Sequence, residues 1–354
     1  MSNPYKIAVI PGDGIGTDVM REGLRVLDTT AEMMGFRYET KEYPYGSEHY
    51  LETGELMPDE IFEELRSFDA ILLGAIGDPR VEVGKVEYAV VGGLRFKLDL
   101  YVNLRPIKLL SERICPLKDK GPDDLDILVI RENTEDAYAG IGGHLKKGTP
   151  EEVAIQEMIY TRAGCERVIR YAYETCRKRG RKKKLTLVDK ANAVRAQDIW
   201  TRTFAEVGEE YPDVERDHAY VDAACMWMVK SPEAFDTMVT PNLFGDIITD
   251  LGAMLQGGMG VAASGNIHPG RVSMFEPIHG SAPKYKGQNK ACPVAMISAV
   301  QMMLDYLGEE PAATLIENAI ESLLNNGAIT SFDAASGLGT AEYGNLIVEE
   351  IRAR

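Results

Sequence analysis

Short apolar runs alternate with segments of helical period along the chain, and this alternation constrains the fold more than any other feature. YKIAVIPGDG is a continuous apolar strand that ends in a glycine turn, and TDVMREGLRVLDTTAEMMG then repeats apolar residues at helical spacing up to Gly35. YETKEYPYG reads as a strand, PDEIFEELRSF as a helix and DAILLGAIG as a second buried strand. In the middle of the chain DILVIREN, VAIQEMIYTR, LTLVDKAN and FDTMVTPN read as strands, and HAYVDAA is strand-like. CERVIRYAYETCRKRG, ending at Gly180, and GDIITDLGAML read as helices. From about Gly257 the chain returns to glycine-rich loops and long helices such as VAMISAVQMMLDYLG and AATLIENAIESLLNNG. Apolar strands interleaved with helices need cover on both faces, which predicts an α/β fold with a large sheet covered by helices.

The chain has 354 residues, enough for two domains. Hydrophobic residues make up 45% and charged residues 27%, the balance of a globular enzyme rather than a disordered chain. The formal charge of −16 repels phosphates, which argues against nucleic acid and anionic membranes as partners. A small anionic substrate stays compatible wherever arginines cluster. The one strong basic block, RKRGRKKK, reads as a solvated helix end and loop. No apolar run reaches bilayer-spanning length, and MSNPYKIAVIPGDG reads as a first strand rather than a signal peptide. Cys115, Cys165, Cys176, Cys225 and Cys292 are scattered without a C-x-x-C, as expected of reduced thiols in a cytoplasmic protein.

Gly12-Asp13-Gly14-Ile15-Gly16 lies between a strand and a helix, where a phosphate cradle would sit. The spacing is not G-x-G-x-x-G, and neither that fingerprint nor a P-loop occurs in the chain. A tight turn is the better reading, so a nicotinamide cofactor would need a fold other than the Rossmann one. His279-Gly280-Ser281 lacks the G-x-S-x-G elbow of a hydrolase, and the five histidines show no zinc spacing.

Three groups of residues have the types that chemistry needs. Asp246 and Asp250 stand four apart and share one helix face. Like charges there repel by roughly a few tenths of a kcal/mol unless a cation lies between them. A dipole-favoured Asp246 and a solvent-facing Asp250 are the plain alternative. Oxygen ligands of this kind suit Mg²⁺ or Mn²⁺, and Asp222, ending HAYVDAA, is a third candidate. Arg95, Arg105 and Arg131 form the second group; their planar forks match carboxylates, against the alternative of surface ion pairs. Lys190, at a strand's end, is a candidate base if a neighbouring metal lowers its pKa, and Tyr138 is a candidate proton donor.

Together the segments VIPGDGIG, LDLYVNLRP, RENTEDAY, VDKAN, NLFGDIITDL and FEPIHGSAP, in this order, resemble the β-decarboxylating dehydrogenases. That family includes 3-isopropylmalate, isocitrate, homoisocitrate and tartrate dehydrogenases. The resemblance implies a two-domain fold of the isopropylmalate dehydrogenase type, not a Rossmann fold. Residues 1–100 and 255–354 would form a large cofactor-side domain. Residues 101–254 would form a smaller domain with a dimerisation arm and the metal and substrate residues. By the same resemblance, Arg95, Arg105 and Arg131 hold the malate part of the substrate and Tyr138 reprotonates the enolate. Lys190 is the base, helped by Asp222, and Asp222, Asp246 and Asp250 bind the metal. Asn192 lies at the nicotinamide end, while His279, Gly280, Ser281, Ala282 and Asn289 hold the adenosine part. Lys190 and Asp222 would serve the partner's site in a homodimer.

Substrate and cofactor are read from local departures. The segment Glu87-Tyr88-Ala89-Val90-Val91-Gly92-Gly93-Leu94-Arg95 lacks the serine and asparagine with which isocitrate enzymes meet a third carboxylate. Val90 and Val91 keep the apolar character of isopropylmalate enzymes, with Val91 the expected contact, although Gly92 departs from it. The expected reaction is oxidative decarboxylation of 3-isopropylmalate in leucine biosynthesis. Tartrate, malate, an alkylmalate, isocitrate and homoisocitrate are the alternative substrates, and a non-catalytic regulatory subunit is the alternative class. The survival of Lys190, Tyr138 and all three aspartates favours catalysis. After HGSAP the chain has Lys284-Tyr285 rather than the aspartate of NAD enzymes, which favours NADP. ITSFDAASG, however, lacks the tyrosine and arginine that NADP enzymes add, so NAD stays open.

Overall fold

The computed structural model describes residues 3–333 and 336–354. In chain order its strands are β1 (Tyr5–Ile10), β2 (Tyr38–Glu42), β3 (Ala70–Leu73), β4 (Val102–Lys108), β5 (Asp126–Glu132) and β6 (Gly142–Leu145). There follow β7 (Val153–Gln156), β8 (Lys184–Asp189), β9 (Glu215–Tyr220), β10 (Thr237–Thr240), β11 (Ala263–Ile267) and β12 (Ser273–Pro277). The fold is α/β, and the chain forms two units. The first comprises Met1–Leu100, Arg105–Leu125 and Ala253–Arg354; the second comprises Tyr101–Leu104 and Asp126–Gly252. Residues 105–125 thus group with the first unit rather than with the span 101–254. Short-range bonds explain this: the Leu109 N–H donates to the Leu125 carbonyl, and the Lys108 N–H donates to Gln256.

In the first unit the strand order is β2-β1-β3-β12-β11, which is not a Rossmann order. All neighbours are parallel except β11 and β12. Both faces are covered, as uniformly apolar strands require. On one face Ala8, Ile10, Ile71 and Leu73 join a core with Phe62, Val86, Val90 and Leu94. On the other, helix Val294–Tyr306 lies on β11 and β12 and packs against helices Ile15–Met34 and Glu310–Asn325. The first helix stops where the sequence indicates: Gly35 takes a left-handed conformation, and its N–H caps the Ala31 carbonyl.

The second unit has the parallel order β5-β10-β8-β9. Helix Arg162–Arg179 covers β5, β8 and β10 and ends at the left-handed Gly180. Tyr173 on this helix stacks on Phe204 at 5.3 Å and on Tyr211 at 4.9 Å, so an aromatic core joins it to helix Asp198–Gly208. Two expectations are corrected here. VAIQEMIYTR is strand only over β7, which pairs with β6 as an exposed antiparallel ribbon. HAYVDAA leaves the sheet at Tyr220, and Asp222 lies in the first turn of helix Val221–Lys230. A carboxylate in a first turn is favoured by the helix dipole, which alternating polarity did not reveal.

The basic block is also not simply solvated. Arg177 pairs with Asp213 at 2.6 Å and Lys184 with Asp217 at 2.8 Å. Arg179 is mostly buried and reaches Asp126 and Asp236. Asp236, fully buried, also accepts the Lys182 N–H at 3.0 Å. Each of these three cations is answered by a carboxylate, which weakens the block as a phosphate-binding patch. Replacing Asp236 by Ala leaves the mostly buried Arg179 with Asp126 alone and frees the Lys182 N–H, and should cost about 1–3 kcal/mol. A thermal melt of Asp236→Ala within about 1 °C of wild type would refute this.

Candidate active site

The candidate site is built first on β5. Strand alternation and full burial carry Arg131 inward, where a lone guanidinium is not tolerated. Its Nε donates to the Asn242 side-chain oxygen at 2.9 Å and its NH1 to Asp246 Oδ1 at 2.5 Å. The other oxygen of Asp246 accepts the Tyr138 hydroxyl at 2.7 Å. The Arg131 guanidinium also lies 5.4 Å from the Tyr138 ring centre, so cation, phenol and carboxylate form one cluster. Helix Asn242–Leu255 delivers Asp246, and Asp250 follows one turn later on the same face, exposed. Gly245 makes this approach possible: a Cβ there would lie 2.4 Å from Arg131 Cγ.

Asp136 organises the turn that presents Tyr138. It stands at φ 67°, which costs a non-glycine residue about 1 kcal/mol or more. Its buried carboxylate compensates by accepting the Ala137 N–H at 2.8 Å, the Tyr160 hydroxyl at 2.9 Å and the Leu243 N–H at 2.9 Å. The bond to Leu243 caps the first turn of the helix that bears Asp246 and Asp250. Beside Arg131, Glu132 is buried and accepts from the Thr134 and Glu135 N–H groups; burial holds its carboxyl up at about 7.

Lys190 and Asp222 form a second group. Lys190 directly follows β8, and its Nζ lies 2.7 Å from Asp222 Oδ1. Lys190 holds the Asp222 carboxyl below the ordinary range, and that carboxylate keeps 66% of its surface exposed. The Lys190 N–H donates to Gln197 Oε1 at 2.7 Å. Asn192 is exposed in the turn that follows. Asp222 is therefore paired with Lys190, and among the described residues no three His, Cys, Asp or Glu side chains are placed to hold a metal ion. The available donors are all oxygens, and Asp246 is still 36% exposed beside its two partners, which fits a hard divalent ion completed from outside the chain.

The remaining candidates belong to the first unit. Arg95 lies in helix Gly93–Lys97 and donates to Glu276 Oε1 at 3.0 Å; that buried oxygen also accepts from Asn266 at 2.8 Å. Arg105 is buried on β4. The segment before Arg95 holds a π-helical turn, Tyr88–Gly92, between two short α-helical pieces. Val91 is half-buried in it and packs on the core that includes Val90. A π-turn takes one residue more than an α-turn and occurs frequently at functional sites.

The HGSAP loop rests on the early glycine turn. The Ile15 N–H donates to the Ser281 carbonyl at 2.7 Å, and Ser281 Oγ donates to the Gly77 carbonyl at 2.6 Å. Asp13, buried, holds the Ser47 and Gly77 N–H groups at 2.7 and 2.8 Å, so the turn is scaffold for this loop. His279 has a buried Nε2 with no hydrogen-bond partner among the described residues, and burial lowers its pKa. A neutral imidazole with an orphan nitrogen fits a ligand in that loop. Gly280 is exposed, Ala282 has φ 36°, and Lys284 Nζ lies 4.6 Å over the Tyr285 ring. Asn289 brackets helix Thr340–Arg352, accepting the Ala341 N–H at 2.9 Å. Asn242, Asp136, Asp13 and Glu276 were not singled out from the sequence. Their neighbourhoods, NLFGD, RENTEDAY, PGDG and FEPIHG, were the only signal.

Comparison with known proteins agrees with this geometry. The family model described as isocitrate/isopropylmalate dehydrogenase matches residues 6–347. A 3-isopropylmalate dehydrogenase of Thermobifida fusca (strain YX) is 51% identical over 333 residues, 92% of this chain and 94% of that protein. One from Frankia casuarinae is 49% identical over 322 residues, 90% and 92% of the two chains. Among solved structures, isocitrate dehydrogenase from Methylococcus capsulatus has a TM-score of 0.88 at 36% identity, covering 98% of this chain and 99% of that one. A β-decarboxylating dehydrogenase from Thermococcus kodakarensis has a TM-score of 0.80 at 34% identity, covering 99% and 96%.

Two outcomes follow from this packing. Gly245→Ala gains about 1 kcal/mol of helix propensity, but crowding against Arg131 should cost more, about 1–3 kcal/mol. A melting temperature equal to or above wild type would contradict it. Glu132 keeps a proton in the native state between its ordinary pKa and about 7, a proton that the unfolded chain has lost. Stability from this group therefore falls as pH rises across that window. Melts from pH 5 to 8 should show a shallower decline for Glu132→Gln, and parallel curves would refute the assignment.

Proposed function

The chain belongs to the isocitrate/isopropylmalate dehydrogenase family, and from that membership we propose that it oxidatively decarboxylates 3-isopropylmalate to 4-methyl-2-oxopentanoate and CO₂ in leucine biosynthesis. The observation that carries the chemistry is the Asp246 carboxylate, shared between the buried Arg131 guanidinium and the Tyr138 hydroxyl. The names of relatives about half identical support the substrate. The apolar Val90-Val91 ahead of Arg95 supports it independently, since no polar pair is present there for a third carboxylate.

In this reading Arg95, Arg105 and Arg131 hold the two carboxylates of a malate. Arg131, fixed by Asn242 and Asp246, cannot swing away and presents a preorganised charge. Asp246, Asp250 and Asp222 of the partner subunit would hold Mg²⁺ or Mn²⁺. Bound there, the ion would supply Lewis acidity and the nicotinamide a hydride acceptor. Lys190, poised beside Asp222, takes the hydroxyl proton, and Asp222 stabilises the ammonium that results. After CO₂ leaves C3, Tyr138 gives its phenolic proton to that carbon. Its neighbour Arg131 favours the phenolate left behind.

Lys190 and Tyr138 lie in separate clusters of one chain. This supports a homodimer in which each site combines Lys190 and Asp222 from one chain with Tyr138, Asp246 and Asp250 from the other. Exposed apolar side chains on the second unit supply a surface for it: Leu145 and Ile155 on β6 and β7, and Met226 and Trp227 on helix Val221–Lys230. His279, Gly280, Ser281 and Ala282 would hold the adenosine part of the cofactor, with Asn289 near it and Asn192 at the nicotinamide end. Lys284 and Tyr285 favour NADP over NAD, since an ammonium there attracts a 2′-phosphate. Among the described residues no helix is long and apolar enough to cross a membrane, and we place the enzyme in the cytoplasm.

Turnover of 3-isopropylmalate, isocitrate, tartrate and malate, each with NAD⁺ and NADP⁺ and with Mg²⁺, Mn²⁺ or chelator, tests the proposal. 3-Isopropylmalate should lead by ~10-fold or more in kcat/KM, with loss of activity in chelator. Tyr138→Phe should lower kcat by about 10²–10⁴. Comparable turnover of isocitrate would refute the substrate, and no turnover of any of them would favour a regulatory subunit.

A further inference from the structure

Lys190 and Tyr138 lie far apart in the sequence, yet one partly buried hydrogen-bond path joins the turns that carry them. Gln197 is fully buried. Its Oε1 accepts the Lys190 N–H at 2.7 Å, and its Nε2 donates to the Tyr160 hydroxyl at 2.8 Å. Tyr160 in turn donates to Asp136 Oδ1 at 2.9 Å. The same Asp136 oxygen accepts the Ala137 N–H that starts the Tyr138 turn, and the second oxygen accepts the Leu243 N–H ahead of Asp246. The Asp136 N–H also donates to the Ile159 carbonyl at 2.8 Å, which holds Tyr160 beside it.

Every bond in this path has a fixed polarity. The Lys190 and Leu243 donors are backbone N–H groups and cannot reverse. Gln197 must therefore present its oxygen to Lys190 and its amide to Tyr160, and the Tyr160 proton must point to Asp136. A partly buried path with one direction has one low-energy arrangement. It also holds Asp136 in its left-handed conformation, which the chain would otherwise leave. Helix and sheet bonds alone do not account for a fully buried glutamine at the end of the Lys190 loop.

We propose that Gln197 and Tyr160 are positioning residues that hold the backbone turn bearing Lys190 in register with the turn bearing Tyr138, through Asp136. The inference rests on the reading of Lys190 as base and Tyr138 as acid. It adds that the turns bearing the two proton-transfer groups of one chain are aligned by a single device. In the homodimer proposed above those two groups serve different active sites, so the path also links the sites.

The test compares Tyr160→Phe and Gln197→Met with wild type and with Lys190→Ala, using the full-length enzyme with 3-isopropylmalate, metal and nicotinamide cofactor. Tyr160→Phe keeps the ring and removes both bonds, and Gln197→Met keeps the volume and frees the Lys190 N–H. Both variants should lose ~10-fold or more in kcat with KM within about twofold, because binding groups are untouched. Should Tyr160→Phe not fold, Gln197→Met decides alone. Unchanged kcat in the folded variants, with Lys190→Ala inactive, overturns the relay and leaves the base assignment standing. A rise in KM that matches or exceeds the loss in kcat makes these bonds structural only and overturns it equally. Lys190→Ala with wild-type turnover overturns the base reading and the relay together.

Discussion

Everything in the second unit's candidate site depends on where one guanidinium is buried. Arg131 cannot lie inside the protein without oxygen partners, and Asn242 and Asp246 supply them from a single helix. That demand sets the helix against β5 at a distance only Gly245 permits. It also divides the Asp246 carboxylate between a cation and a phenol, so charge and proton donor arrive together. Removing Asp246 would strand the buried Arg131 charge, because a buried ion loses far more on losing its partner than the intact pair gains.

The same logic distributes charge over the rest of the chain. A strongly acidic sequence has carboxylates enough to answer Arg177, Arg179 and Lys184 of the basic block at short range. Arg95, one of the arginines assigned to substrate, is held more lightly. Arg95 meets one buried carboxylate, Glu276, that is itself shared with Asn266. Such sharing orients a fork without consuming all five of its donors.

How far the site was legible in the sequence follows from the range of each interaction. The helix stops at Gly35 and Gly180, the one-face pair Asp246 and Asp250, and the strand carrying Arg131 depend on neighbours within a few residues, and spacing reveals them. Arg131 and Asp246 meet across 115 positions, and Gln197 and Tyr160 across 37, and no local pattern records such meetings. Asp222 was misplaced onto a strand because polar alternation at Tyr220 continues into a first helical turn that looks the same. Arg179 was read as solvated because the carboxylates that bury it, Asp126 and Asp236, stand more than fifty residues away on either side. Motif resemblance supplied residue roles that spacing left undecided.

The π-turn at Tyr88–Gly92 has a consequence of its own. A helix that stores one surplus residue can shed it, or take it up again, by a single-codon deletion or insertion while its two ends stay where they are. The side chains ahead of Arg95 would then rotate by about a quarter-turn as a block. Diversification of the side chains presented ahead of Arg95 can thus proceed through length changes in this short stretch, a route invisible to comparisons that count only substitutions.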